Sequence, residues 1–562
     1  IMGEEFDGGI PNARVMIKDI TIPEALEYKD KLKAVEGVTE VMWLDDTVSV
    51  TVPLATLPED TVESYYKDNA ALFTVTINED DQVDAVTEIR EIVGDKGAVA
   101  GSAVSTADAT TNTVSEILKV TAIAVAFVLI VLLLTTNSWL EPIIVLVGLG
   151  VAIILNNGSN LIFGEISFVT NAAGSILQLA VSLDYSVFLL HRFEECRREN
   201  TDEKSAMVDA LCKSTSSILS SGLTTVIGFI ALVLMQFRLG ADLGIVLAKG
   251  VAISLITVFV FMPALILSTY KWIDKTRHKQ ILPPFKRLGK VVYRMAIPMV
   301  CIFAVLIVPS YLGSNANDYL YGSSEVLGAN TQYGKDTAAI EEVFGKNDTY
   351  VLLVPKGDTA TQTALSDELH TIPEITSIIS YVDMAGAEIP SAYLDTETLA
   401  LLEGENYSRM VLSVDVPYEG EETFTLVAKI RDIAEKYYPD DNYLAGEGVS
   451  TYDLKETITA DTLLVNLISI GAVFVVIMLT TRSLSIPFIL VLSIETAIWL
   501  NLTMPYFWDK PIFYLAYLVI SSVQLGATVD YAILMTDRYR ENRETMDKKT
   551  AIPQTISDVF VS

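Results

Sequence analysis

Cysteine and histidine are scarce in this chain of 562 residues, which contains three of each. Cys196, Cys212 and Cys301 lie within or beside long apolar runs, which excludes the disulfide framework that small secreted domains use. The histidines are scattered along the sequence and have no metal-ligand spacing. We therefore expect neither disulfide bonds nor a metal site.

Motifs for phosphate binding and catalysis are absent as well. No glycine-rich loop ends in Lys followed by Ser or Thr, so we expect no ATP-driven step within the chain. No Ser-His-Asp arrangement is present, and neither an enzymatic activity nor a cofactor is predicted. Acidic residues outnumber basic ones, 71 against 39, which disfavours nucleic acid as a partner.

Long apolar runs are what the sequence has in abundance. Hydrophobic residues make up 51% of the chain and the mean hydropathy is +0.41, which is too apolar for a soluble protein. Nine segments are long enough to cross the hydrocarbon core of a bilayer, which is ~30 Å thick. These predicted spans are 117–136, 141–160, 167–190, 216–236, 243–268, 291–313, 462–481, 486–507 and 511–536. The sequence therefore predicts a polytopic α-helical membrane protein.

Charge is distributed unevenly along the chain. Residues 1–115 contain 8 Lys and Arg against 23 Asp and Glu, and residues 314–458 contain 8 against 27. In the loop at about 270–290, between the fifth and sixth spans, Lys and Arg stand against a single acidic residue, Asp274. Arginines also follow the third span, before the loop at about 191–215 ends, and the ninth span: Arg192, Arg197, Arg198, Arg538, Arg540 and Arg543. Because short cytoplasmic loops are enriched in Lys and Arg, this bias places both acidic domains on the extracytoplasmic side. The predicted organisation is an extracytoplasmic domain at 1–115, spans at 116–313, a second extracytoplasmic domain at 314–458 and further spans at 459–562.

Each acidic domain alternates strand-like apolar runs with amphipathic helical ones, a pattern that is typical of small α+β folds. In the first domain we predict strands at 13–17, 38–44 and 48–53 and a helix at 23–35. In the second we predict strands at 349–354, 375–381, 410–416 and 443–444 and helices at 361–369 and 423–437.

The membrane spans contain an internal repeat. Gln178, Asp184 and Tyr185 recur as Gln524, Asp530 and Tyr531 at a constant offset of 346 residues. The Ala-Gly pair at 100–101 and the Thr-Thr pair at 135–136 recur at an offset of 345. Corresponding spans run in the same direction, so we predict a two-fold parallel repeat about an axis along the membrane normal. Nine spans in this repeat would belong to a bundle of about twelve, with one further span before the chain and two after it.

Two carboxylates lie deep inside predicted spans at matching positions of the repeat, Asp184 and Asp530. A carboxylate in lipid is costly unless it is paired, neutralised or used. A carboxyl group that balances desolvation against nearby cations can bind and release a proton near neutral pH. We therefore predict a proton relay that includes Tyr185 and Tyr531, which follow the carboxylates directly. The alternative is that these residues only join two helices through hydrogen bonds.

Other polar residues in the spans are candidates for supporting roles. Lys249 either extends to the outer interface or pairs with Asp184 or Asp530, and we include it in the predicted relay. Glu495 is expected to face protein or a water-filled cavity rather than lipid. The other candidates, for which helix packing is an equal alternative, are Gln178, Ser220, Thr224, Thr225 and Gln524.

The twin Asp-Tyr pairs resemble those of the MMPL family of the RND (resistance-nodulation-division) transporter superfamily. The segments 221–229, 243–251 and 263–265 also resemble that family and its Patched-like relatives. The resemblance implies an RND-type bundle with two porter-like extracytoplasmic domains in a bacterial cytoplasmic membrane, as a monomer or a homotrimer. It implies export of lipids or other amphiphilic molecules, driven by the entry of protons or of sodium, and it carries the relay over to Asp184, Tyr185, Asp530 and Tyr531.

Two alternative functions stay open at this point. A transporter of another cargo, such as the protein-export subunits SecD and SecF, would share the plan but use different intramembrane motifs. A lipid-binding or sensing protein of the Patched type would bind its ligand without active pumping. For such a sensor both relay acids would be dispensable, whereas this sequence contains both.

Overall fold

The computed structural model describes residues 2–6, 11–47, 59–164, 166–199, 202–278, 286–322, 328, 330–346, 348–385 and 402–559. They belong to two compact units. The α/β unit comprises Ile1–Asn112 and Leu320–Glu456, and the helical unit comprises Thr113–Tyr319 and Thr457–Ser562. Both predicted acidic domains therefore contribute to one and the same unit.

The α-helices of the described residues are α1 (Met2–Glu5), α2 (Ile22–Lys33), α3 (Leu44–Thr47), α4 (Glu59–Tyr65), α5 (Gln82–Val93), α6 (Ser102–Thr135), α7 (Glu141–Ser159), α8 (Phe168–Glu199), α9 (Glu203–Leu232), α10 (Arg238–Ile256), α11 (Met262–Lys275), α12 (Lys286–Ser314), α13 (Gln332–Phe344), α14 (Thr359–Leu369), α15 (Tyr381–Ala385), α16 (Glu421–Tyr437), α17 (Glu447–Thr481), α18 (Ser485–Phe507), α19 (Tyr514–Thr545) and α20 (Lys548–Val559). The strands of the two main sheets are β1 (Ala13–Ile17), β2 (Val38–Met42), β3 (Tyr66–Lys67), β4 (Ala70–Ile77), β5 (Gly97–Ala100), β6 (Asp348–Pro355), β7 (Ile375–Ile379), β8 (Tyr407–Val414) and β9 (Tyr443–Gly446).

The α/β unit contains two antiparallel sheets. The first has the strand order β2-β4-β1-β5, with the short β3 paired to β4, and the second has the order β7-β8-β6-β9. Apart from β3, the two orders are the same when each domain's strands are counted along the chain. Both are split β-α-β arrangements in which the first strand lies between the third and the fourth.

The strands form because their residues are buried by helices on the sheet. Every residue of β1 is buried, and α2 and α5 contribute Leu32 and Ile89 to the same core. The start of α2 is encoded locally: Pro23 lies in its first turn, and the Thr21 N–H donates to the Glu24 carboxylate at 2.7 Å. The predicted strand at 38–44 ends at Met42, and the predicted strand at 48–53 lies outside the described residues.

Two glycines explain why the Ala-Gly pair recurs. Gly101 has φ +115° and Gly446 has φ +156°, and both stand where a strand is followed by a helix. A Cβ on Gly101 would lie 2.6 Å from the Asn12 carbonyl oxygen, and a Cβ on Gly446 would lie 2.5 Å from the Tyr350 ring. The conformation and the close approach both require glycine.

The helical unit contains most of the apolar helices. In the described part of the chain, eight helices are long and apolar enough to cross a membrane, and the chain is a multi-pass membrane protein. These candidate spans are Glu141–Phe163, Val169–Arg198, Glu203–Leu232, Arg238–Lys275, Leu288–Ser314, Glu447–Thr481, Ser485–Phe507 and Tyr514–Thr545. The sequence predicts nine spans; the additional one, at 117–136, lies in α6, whose described apolar part Lys119–Thr135 is shorter.

The predicted loop at 191–215 is largely helical. Helix α8 continues to Glu199 and α9 begins at Glu203. Hydropathy detects only the apolar part of a helix, whereas ion pairs such as Arg192–Glu195 allow the helix to continue through polar sequence. The predicted loop at 270–290 likewise begins inside α11 and ends inside α12, and residues 279–285 lie outside the described part.

The helix type changes just before Pro263. A π-helical turn, Thr257–Phe261, separates α10 from α11, and Pro263 follows it in the first turn of α11. Proline has no N–H to donate to the preceding turn, so the regular hydrogen-bond ladder is interrupted there. A single π-helical turn accommodates one extra residue in a helix.

One buried carboxyl in the α/β unit gives a pH-dependent prediction. Asp348 accepts from the N–H groups of Thr349 (2.8 Å) and Gly448 (2.9 Å), yet burial raises its pKa from 3.8 to about 6. The folded unit therefore binds this proton more tightly than the unfolded chain does. Its stabilising effect is complete below pH 4 and is lost as the pH rises through 6, by about 3 kcal/mol.

We expect the unfolding free energy of wild type minus that of Asp348→Asn to fall by this amount between pH 4 and pH 7. Pulse proteolysis in urea on the intact chain measures it, with the cleavage products assigned to the α/β unit by mass spectrometry. The difference between the two proteins cancels the contribution of all other carboxylates. A difference that stays constant or grows with pH would contradict the prediction.

Candidate functional site

Helices α8 and α19 are joined by one of the predicted relay pairs. The Tyr531 hydroxyl donates a hydrogen bond to Asp184 Oδ2 at 2.6 Å. Asp184 is partly buried, whereas Tyr531 has a relative solvent-accessible surface of 54%. A hydroxyl–carboxylate bond of this length is among the stronger hydrogen bonds in proteins. The structure thus brings together residues that are 347 positions apart, one from each half of the predicted repeat.

The other members of the two Asp-Tyr pairs lie on the same helices. Tyr185 is buried on α8, with 2% of its side chain exposed. Asp530 precedes Tyr531 on α19, and its side chain lies outside the described part of the structure. The described side chains therefore define the Asp184–Tyr531 part of the predicted relay.

Helix α9 packs against both α8 and α19. The Thr225 hydroxyl lies 3.2 Å from the Gly526 carbonyl oxygen on α19, and a Cβ on Gly526 would lie 3.2 Å from Thr225 Cα. The glycine therefore permits the close approach of the two helices. Thr224 and Ser220 are also buried on α9, and the Thr224 hydroxyl donates to the Ser221 carbonyl of its own helix at 2.6 Å. Thr225 thus forms a contact between α9 and α19, whereas the hydrogen bond of the Thr224 hydroxyl stays within α9.

Gln178 is the centre of a buried polar network. Its Nε2 donates to the Gly250 carbonyl (3.0 Å) and the Ser254 hydroxyl (3.1 Å) on α10, and its Oε1 accepts from Asn156 on α7 (3.0 Å). A Cβ on Gly250 would lie 2.8 Å from Asn156 Nδ2. Gln178 therefore ties α8 to α7 and α10. Its counterpart Gln524 accepts from Asn501 at 3.3 Å, on the helix that follows α17.

The described contacts of the Lys249 side chain are with residues at the end of α7 and beyond it, and not with Asp184. Its Nζ donates to the Asn156 carbonyl at 3.1 Å and to Asn160 Oδ1, and it lies 5.0 Å from the centre of the Phe163 ring. These contacts at the end of α7 agree with the interfacial alternative rather than with a pairing to Asp184. Glu495 on α18 is partly buried, and no hydrogen bond or ion pair joins it to another described side chain.

Sequence analysis did not predict an ion-pair cluster at the basic ends of α8 and α19. We define the ion-pair cluster as Arg192, Glu195, Arg538 and Glu541. Each arginine contacts the glutamate of its own helix (2.7 and 2.8 Å) and that of the other helix (3.0 and 3.3 Å). The signal was present, since Arg192 and Glu195 recur as Arg538 and Glu541 at the 346-residue offset. The sequence alone does not show that the Arg-Glu pair of α8 contacts the Arg-Glu pair of α19.

A cavity of about 270 Å³ lies in the α/β unit, between residues of its two domains. Arg14, Tyr333 and Tyr418 are among the residues that line it, and burial raises the pKa of both tyrosines. Ligand pockets usually have volumes of about 300–1,000 Å³ and mostly apolar walls. Among the described residues, no group of three His, Cys, Asp or Glu side chains could hold a metal ion.

The candidate spans are those of a multi-pass membrane protein. The model of the MMPL family matches residues 26–299 and 328–560, and the chain therefore belongs to the MMPL family. The resemblance inferred from the twin Asp-Tyr pairs is thereby confirmed.

Two relatives and one solved structure are similar to this chain. Putative membrane protein SCO5905 of Streptomyces coelicolor is 24% identical over 91% of the chain and 63% of its own length. The siderophore exporter MmpL5 of Mycobacterium tuberculosis is 26% identical over 47% of the chain and 29% of its own length. The chain thus spans less than two thirds of the length of each of these relatives. The crystal structure of SecDF from Thermus has a TM-score of 0.51 and 13% identity, covering 85% of this chain and 60% of SecDF, which is a likeness of fold alone.

Proposed function

We propose that this chain is part of a proton-driven exporter of lipids or other amphiphilic molecules across the cytoplasmic membrane of a bacterium. Membership of the MMPL family and the transport names of its relatives support a transporter. The intramembrane carboxylates at equivalent positions support coupling to a proton or, as the alternative ion, to sodium.

The observation that carries the proposal is the hydrogen bond from Tyr531 to Asp184. An ionised carboxylate accepts this bond more strongly than a neutral carboxylic acid does. Protonation of Asp184 therefore weakens the contact between α8 and α19, and loss of the proton strengthens it. A proton bound on one side of the membrane and released on the other then biases two arrangements of the helices.

We further propose that the chain is a two-fold parallel repeat whose halves move against each other. Both sheets of the α/β unit have the same strand order. Arg90 binds Asp108 through two hydrogen bonds of 2.6 and 2.8 Å, and Arg431 binds Asp453 with the same two distances. These pairs occupy corresponding places, on the helix before the last strand and the helix after it.

The α/β unit is proposed to be extracytoplasmic and porter-like, with the ion-pair cluster on the cytoplasmic side. The acidic residues of 1–115 and 314–458 and the arginines near the C-terminal ends of α8 and α19 support this orientation. The cavity of about 270 Å³ is smaller and more polar than a lipid site requires, so we do not assign the substrate to it. The complete transporter is a monomer or a homotrimer.

The experiment reconstitutes the intact protein in vesicles of phosphatidylethanolamine and phosphatidylglycerol that contain a fluorescent (NBD-labelled) phosphatidylethanolamine. Movement of the probe between leaflets is followed by dithionite quenching after a pH gradient is imposed. We expect movement that requires the gradient and stops when an uncoupler collapses it. Probe binding with no response to any gradient would contradict pumping and favour the sensing alternative, and a response to a sodium gradient alone would contradict the proton.

A further inference from the structure

A small cavity of about 70 Å³ lies beside the ion-pair cluster. Its walls come from α8, α9, α19 and α20 and include all four members of the cluster. Two further pairs of lining residues, Phe188 with Leu534 and His191 with Asp537, are related by the 346-residue offset. The cavity is therefore bounded by equivalent positions of α8 and α19, although the chemistry of His191 and Asp537 differs.

His191 and Asp537 stand in the same relation to the two relay carboxylates. His191 follows Asp184 by seven residues on α8, and Asp537 follows Asp530 by seven on α19. Seven residues are nearly two helical turns, so each residue lies on the face of its relay acid, about 10 Å further along the helix. Both are displaced toward the ion-pair cluster.

Several groups hold these two residues at the cavity. Asp537 accepts from the Ser217 hydroxyl on α9 at 3.1 Å, and the backbone of Thr135 on α6 lies beside His191. The charged groups that face the two residues are the ion-pair cluster, Glu194 on α8, Arg540 on α19 and Asp558 on α20. A cavity of this size with several polar lining residues can hold a few water molecules.

Given the proposed proton coupling, on which this inference rests, we propose that His191 and Asp537 are the inner proton-transfer groups between the relay and the cytoplasm. The proton leaves the Asp184 carboxyl, crosses cavity water and binds the Asp537 carboxylate or the His191 imidazole. It then passes to bulk water when the ion-pair cluster opens. Only O–H and N–H bonds are made and broken, and no oxidant or reductant takes part.

The test measures proton flux directly, because no substrate needs to be known. The intact protein is reconstituted in phosphatidylethanolamine–phosphatidylglycerol vesicles loaded with the pH dye pyranine, and the initial rate of acidification is recorded after an acid jump. Removing a positioned proton-transfer group costs about 10²–10⁴-fold in favourable cases. We expect His191→Gln with Asp537→Asn to lower the flux by at least about 10-fold, since water alone bridges the gap more slowly.

Two further variants separate proton transfer from a structural role. His191→Gln with Asp537→Glu keeps an acid in the cavity and is expected to restore most of the flux that the double variant loses, together with its dependence on the pH at the cavity side. Cys212→Ser, an exposed change on α9 that does not line the cavity, is expected to behave as wild type. Size-exclusion profiles show whether the double variant is misfolded. If it is, the pH profiles of the flux through the single variants His191→Gln and Asp537→Asn test the proposal instead.

The outcomes distinguish this inference from the proposed function. Asp184→Asn could block the flux while the double variant keeps the wild-type rate and pH profile. That result would disprove the assignment of His191 and Asp537 as inner proton-transfer groups and would leave the proposed relay at Asp184 supported. If wild type shows no flux above protein-free vesicles, or Asp184→Asn conducts as wild type does, the proposed function fails and this inference fails with it. Loss of flux in His191→Gln with Asp537→Asn and its recovery in His191→Gln with Asp537→Glu support the inference.

Discussion

The Asp184→Asn variant is expected to transport at least about 100-fold more slowly than wild type while folding normally. Asparagine has nearly the volume of aspartate, and its Oδ1 can still accept the 2.6 Å hydrogen bond from Tyr531. It cannot gain or lose a proton, so the contact between α8 and α19 no longer depends on pH. The packing is kept and the coupling is removed. Gradient-driven movement of the NBD-labelled probe measures the loss.

Asp242→Asn is the matched control for this prediction. Asp242 is also a carboxylate of the helical unit, and among the described residues it accepts a hydrogen bond from the Ser167 N–H at 3.1 Å. Asparagine can accept that bond as well, and we expect transport within about 2-fold of wild type because the residue is not part of the relay. Wild-type transport by Asp184→Asn under an imposed pH gradient would disprove the relay. Equal losses in both variants would point to a general sensitivity to charge.

The Arg409→Ala variant is expected to destabilise the α/β unit by about 3–5 kcal/mol. Arg409 on β8 is only 1% exposed, and its Nη2 lies 3.3 Å from Glu40 on β2, which is 8% exposed. The guanidinium also lies 5.4 Å from the centre of the Phe6 ring. Truncation leaves the Glu40 carboxylate buried without its cation and removes packing beneath Phe6. Pulse proteolysis in urea, with fragments assigned to the unit, measures the change.

A double replacement tests whether the cost arises from the orphaned charge. Changing Arg409 to Met and Glu40 to Leu removes both charges and nearly keeps the volume, so we expect most of the lost stability to return. Lys335→Met removes a cation from the same unit. Among the described residues no ion pair joins Lys335 to an acid, and we expect the change to alter the stability by less than about 0.5 kcal/mol. A double variant as unstable as Arg409→Ala would show that shape, rather than charge, determines the cost.

Much of the fold and one contact of the site were accessible from sequence. Apolar length predicts the spans because a helix must match the thickness of the bilayer. The repeat offset of 346 places Asp184 and Tyr531 on equivalent helices, and their hydrogen bond joins those helices. Family membership confirms the resemblance on which the relay was carried over.

Other features depended on packing that a linear pattern does not contain. Lys249 has a long flexible side chain, and its partner depends on where α7 places Asn156 and Asn160. The ion-pair cluster required α8 and α19 to converge at their polar ends, beyond the apolar stretches that hydropathy detects. His191 and Asp537 escaped notice because their residue types differ, although the offset relates their positions.

The π-helical turn at Thr257–Phe261 has a bearing on how the segment Arg238–Lys275 is understood. One surplus residue turns everything beyond it by about 100° relative to an uninterrupted α-helix. A helical wheel drawn through the whole segment would therefore put Trp272 on the wrong side with respect to Lys249. The results of scanning mutagenesis in this segment should therefore be plotted on two separate helical wheels, one for α10 and one for α11. Only then will the sensitive positions map onto the helix faces that contact neighbouring helices.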